Sequence, residues 1–144
     1  MPTIVLSPFN VVNFPQGGGH FWVYMQYAQG LLRLGCEVYW LENFRSSGDE
    51  QNDSALLRTF FARMDRYGLG KKVILYERTG SGSDAKGLEY IGISQEQAEA
   101  VFSRADLSTR SAINLSWAAR IQMYSIQIGG RGVLGLQKQA ADSL

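Results

Sequence analysis

The chain has 144 residues, of which 45% are hydrophobic and 19% charged, enough for one packed domain of ordinary composition. A formal net charge of +1 offers no broad field for nucleic acid or an anionic membrane. No run approaches the ~18 consecutive apolar residues of a membrane span, and the lone Cys36 excludes an internal disulfide and any cysteine-based zinc set.

In chain order, Thr3–Ser7 is a short β-branched run ending at Pro8, which suits a buried strand. Pro8–Gln16 reads as a loop, followed by Gly17-Gly18-Gly19. His20–Leu34 reads as a helix, with Phe21, Tyr24, Met25, Ala28, Leu31 and Leu32 on one face. Trp22, Val23 and Tyr27 widen that face, so the helix is expected to be buried on more than one side. Gly35 suits the left-handed residue after a helix, and Glu37–Leu41 is the second strand.

Arg45–Asp53 is polar and reads as a surface loop; Ser54–Tyr67 is the second helix and Lys72–Tyr76 the third strand. Glu77–Gly87 is a Gly/Ser-rich loop. Ser94–Arg104 is the third helix, opened by a Ser94/Gln97 capping box. Alternating strands and helices predict a Rossmann-like three-layer α/β domain with a parallel sheet of three to four strands over residues 1–107.

Residues 108–144 read differently. Ala112–Leu115 offers a possible fourth strand, Trp117–Gln127 a possible helix, and Gly129–Leu144 a poorly ordered tail. Charge changes near the same place. Residues 1–103 carry nine Lys/Arg and eleven Asp/Glu, net −2, whereas 104–144 carry five and two, net +3. Two readings of this segment stay open: a truncated or frame-shifted end, or a native surface tail.

The runs Ile4-Val5-Leu6-Ser7-Pro8, Gly17-Gly18-Gly19-His20-Phe21-Trp22-Val23-Tyr24 and Gly30-Leu31-Leu32-Arg33-Leu34-Gly35-Cys36-Glu37-Val38-Tyr39-Trp40-Leu41-Glu42 resemble the opening of bacterial GT-B glycosyltransferases. Those enzymes share a strand, a glycine-rich loop, a long helix ending in Leu-x-x-x-Gly-His-x-Val, and a second strand. Here Cys36 replaces the usual His. The likeness covers Ile4–Glu42, weakens over Asp53–Asp106 and stops there.

The resemblance implies an acceptor-side domain facing a second, donor-binding domain. It implies transfer of a sugar from a nucleotide-sugar to an unknown acceptor, with no cofactor or metal, and no turnover by this half alone. The expected setting is cytoplasmic, with no nucleic-acid partner and no membrane span.

In that reading Gly17, Gly18 and Gly19 let the donor's phosphates approach the positive end of the following helix. His20, the only histidine, is the candidate catalytic base. Asn10 and Asn13 in the loop, and Trp22 off the main apolar stripe, are candidate acceptor contacts. Each has a plainer reading: a connector loop, a helix-capping histidine, turn asparagines and a core aromatic.

A dinucleotide site is a weaker alternative. Glu42 stands where a ribose-binding acid would be, but the glycines run GGG and start ten residues after Ser7. The other class of function is a stand-alone Rossmann-like module that binds a phosphate-bearing ligand or a partner.

Overall fold

The computed structural model describes residues 1–78, 87–108, 124–128 and 134–138, with 107–108 and the last two segments described by backbone alone. Its main sheet contains β1 (Thr3–Leu6), β2 (Glu37–Asn43), β3 (Val73–Arg78), β4 (Leu88–Ile91) and β5 (Leu107–Ser108). The order is β4-β3-β2-β1-β5. β3, β2, β1 and β5 run parallel, and β4 pairs antiparallel with β3 at the edge.

Three helices, α1 (Gly18–Arg33), α2 (Glu50–Arg66) and α3 (Gln95–Arg104), cover the sheet. Strand side chains alternate between its faces. Val38 and Trp40 of β2 join Phe21, Met25 and Ala28 of α1 and Phe60 and Met64 of α2 on one side. Tyr39 and Leu41 join Ala98, Val101 and Phe102 of α3 on the other. Burial on both faces explains why β2 reads as a nearly continuous apolar run. The result is the expected Rossmann-like α/β domain, with four parallel strands and one antiparallel edge strand.

Helix ends follow local chemistry. The Gly35 amide donates to Leu32 and the Cys36 amide to Leu31, while Gly35 takes φ +81, a Schellman closure of α1. The capping box expected at Ser94 and Gln97 is present on α3.

Several expectations need correction. α2 begins at Glu50, because Asp49 caps it by accepting from the Gln51 and Asn52 amides. Trp22 and Val23 do not widen the buried face of α1 as expected; they are 44% and 46% exposed. β4 falls between the Gly/Ser-rich loop and α3, where the sequence suggested no element.

The expected helix over 117–127 gives way at its end to β6 (Tyr124–Ile128), which pairs antiparallel with β7 (Leu134–Lys138) inside the expected tail. The rest of that helix, the rest of the tail and the candidate strand Ala112–Leu115 lie outside the described residues. The expected boundary at 107 falls inside β5.

Candidate functional site

Chain order reverses between β1 and β5, which sit side by side although they are far apart in sequence. Open parallel sheets bind ligands outside the carboxyl ends of their strands at such a switch point. β1 leads there into the loop Ser7–Gly17, and that loop into α1.

The loop is pinned from beneath by Glu42. This residue is 1% exposed, and one carboxylate oxygen accepts from the Val11 and Val12 amides, the latter at 2.9 Å. The other oxygen accepts from the Trp40 indole at 2.9 Å. Burial pushes the Glu42 carboxyl above its ordinary value, opposed by hydrogen bonds from Trp40, Val12 and Val11. Val11 and Val12 are themselves buried in the α1–α2 core. Glu42 is thus occupied as a loop anchor, which removes it as a ribose contact.

Asn13 ties the loop to the one after β2. Its amide nitrogen donates to the Arg45 carbonyl at 2.8 Å, and its oxygen accepts from the Arg45 amide at 3.0 Å. Asn10 takes φ 57, a left-handed position that asparagine tolerates, and supplies the turn. Both asparagines are therefore explained by turn and tether geometry. Trp22 is exposed and packs edge-on against Tyr67 at 5.1 Å.

The three glycines separate into two kinds. A Cβ on Gly17 would sit 2.3 Å from the Phe14 ring, so a side chain there must push that ring aside. Gly18 and Gly19 would meet nothing within 4 Å, so nothing in the fold excludes a side chain. The Gly17 amide donates to Phe14 and the Gly18 amide to Gln16, whereas no described acceptor meets the amides of Gly19 and His20.

His20 Nε2 donates to the Phe9 carbonyl at 2.5 Å. In the neutral ring that assignment leaves Nδ1 as the proton acceptor. The ring packs edge-on against Tyr24 at 5.3 Å and Phe14 at 6.3 Å. His20 is held at the start of α1 beside the open glycines, so the structure brings together Gly18, Gly19 and His20.

Sequence reasoning missed Phe9 and Phe14, two exposed rings on this loop, and Arg45, whose guanidinium stands 5.6 Å from the Phe9 ring. It also missed two buried polar atoms on the α3 side of the same edge. Asn43 Oδ1 and the Tyr76 hydroxyl have no hydrogen-bond partner among the described residues, and these residues are register partners across β2 and β3. Burial pushes the Tyr76 phenol up to about 12, so it stays a donor at any physiological pH. Exposed phenylalanines beside two prolines were the available signal for the rings; the orphan atoms had none.

Among the described residues, no cluster of His, Cys, Asp and Glu could hold a metal ion. No described helix is long and apolar enough to cross a membrane. Compared with protein-family models, curated proteins and solved structures, the chain matches none.

Proposed function

We propose that this chain is the acceptor-side, Rossmann-like half of a GT-B glycosyltransferase, with the carboxyl edge of its sheet forming one wall of the cleft. The observation that carries the reading is the open space at Gly18 and Gly19, in front of two unpaired amides at the start of α1. Glycine there is unnecessary for packing, and a phosphate group is what small residues at a helix N-terminus admit.

The chemistry follows from the parts. The acceptor hydroxyl gives its proton to His20 Nδ1 as its oxygen attacks the anomeric carbon. The bond from that carbon to the phosphate oxygen breaks, and the nucleoside diphosphate leaves. The Gly19 and His20 amides stabilise its growing charge. Phe9, Phe14 and Trp22 offer apolar faces to sugar rings. Asn43 and Tyr76 offer hydrogen-bonding atoms for hydroxyls. In this reading a second domain holds most of the nucleotide-sugar, and the chain alone catalyses no transfer.

The test is an amide-resolved NMR titration of the chain with UDP-glucose, GDP-mannose and a panel of short oligosaccharides. Glycosyl transfer requires nucleotide-sugars to shift Gly18–His20 and at least one saccharide to shift the Phe9–Phe14 loop. Phosphate binding without any saccharide response would favour the stand-alone phosphate-binding module. No response from either class would overturn both readings.

A further inference from the structure

A cavity of about 480 Å³ opens on the α3 side of the sheet, between α3 and the turn before β3. Its size falls within the range of small-molecule sites. Tyr39, near the start of β2, lines it. The inner wall includes Ile93 and the buried Val101. Lys71 and Arg104 complete the lining residues that bear charge, and no lining side chain is acidic.

The local balance of charge is positive. Glu37 pairs with Lys72 at 2.5 Å and stands 3.5 Å from Arg104. Lys71 makes no ion pair with a described residue. Lys72 and Arg104 thus share Glu37, and with the Asp65 carboxylate against Gly70 three cations face two carboxylates. The Arg104 guanidinium is also braced, because it donates to the Tyr39 hydroxyl and lies 5.5 Å from that ring. A fixed guanidinium beside an unpaired ammonium, above an apolar wall, suits an amphipathic anion.

We propose that this cavity binds a small organic anion, with its phosphate or carboxylate group toward Lys71 and Arg104 and its apolar body against Ile93 and Val101. The site is separate from the glycine loop and does not depend on the glycosyltransferase reading.

The experiment titrates the labelled chain with phenyl phosphate, benzoate, inorganic phosphate and the uncharged benzyl alcohol, following backbone amides by NMR. Phenyl phosphate or benzoate should shift Lys71, Gly92, Ile93 and Arg104 saturably, and the tighter of the two identifies the acidic group. Inorganic phosphate, lacking the apolar body, should bind about tenfold more weakly, and benzyl alcohol should not saturate.

Lys71 is exposed and unpaired, so Lys71→Glu should leave the fold intact and weaken binding about tenfold. Ala100→Trp, also at an exposed lining position, should block binding while keeping every charge. No saturable shift at these amides, equal binding of benzyl alcohol, or undiminished affinity in both variants would overturn the proposal.

Discussion

The two ends of β2 carry the same side chain in opposite circumstances. Glu37 at the amino end meets Lys72, Tyr39 and Thr3 beside water, and its carboxyl is held down at about 2, chiefly by Lys72. Glu42 at the carboxyl end has no cationic hydrogen-bond partner, is buried, and is pushed upward. Charge partners govern one end and desolvation the other. The amino end is a cross-linked electrostatic brace. The carboxyl end is a loop suspended from one buried carboxyl group, with two open glycines at its tip.

Breaking Glu42 should have the largest effect. Glu42→Ala strands the Val11, Val12 and Trp40 N–H groups and leaves a cavity, at a cost of about 4 kcal/mol or more by chemical denaturation. Glu42→Gln keeps the volume but sets an amide NH2 against one of those donors, and should cost about 2 kcal/mol. In both, hydrogen exchange at Val11 and Val12 should rise more than at the strand amides. Equal exchange everywhere would mean that the loop does not hang on Glu42.

The glycines sharpen the comparison. Gly17→Ala forces the Phe14 ring aside and should cost about 2 kcal/mol. Gly18→Ala or Gly19→Ala should be neutral, or stabilising by about 0.5 kcal/mol, because each adds a helix-favouring residue in free space. A destabilised Gly18→Ala would show that the space at Gly18 is filled.

Smaller effects belong to the amino end. Glu37→Gln should cost about 1 kcal/mol, as expected for a partly exposed ion pair. Its folded carboxyl lies below the ordinary 4.5, so its contribution is complete above pH 4.5 and disappears as pH falls toward 2. Glu42 has the reverse sign. Its folded carboxyl lies above 4.5, so its contribution declines as pH rises from 4.5 through that raised value. Stability measured against pH should therefore lose its acid limb in Glu37→Gln and its opposing limb in Glu42→Gln.

Much of this organisation is legible in the residues. The alternation of apolar strands and striped helices gives the parallel sheet, and Ser94 with Gln97 marks α3 to the residue. β4 hides because it is only four residues long and follows a Gly/Ser-rich segment. β6 shows the alternation Tyr-Ser-Ile-Gln-Ile, a period-two signal that a helical reading of its neighbours overrode.

The site was less legible, since His20 and Gly17–Gly19 are local in sequence but the anchor of their loop is not. Val11 and Glu42 are 31 residues apart. No spacing rule reveals that Glu42 faces inward to hold Val11 and Val12, or that Asn13 is committed to Arg45. Only the sheet register brings them together.

The most direct measurement is a pyrophosphate titration of the labelled chain, comparing the native sequence with Gly18→Val. The open-glycine arrangement requires saturable shifts of the Gly19 and His20 amides in the native chain. In Gly18→Val those shifts should be lost while the denaturation midpoint falls by no more than that of other exposed helical substitutions. Shifts confined to the amino end of the sheet, or undiminished binding by Gly18→Val, would contradict the assignment of the carboxyl edge as the ligand site.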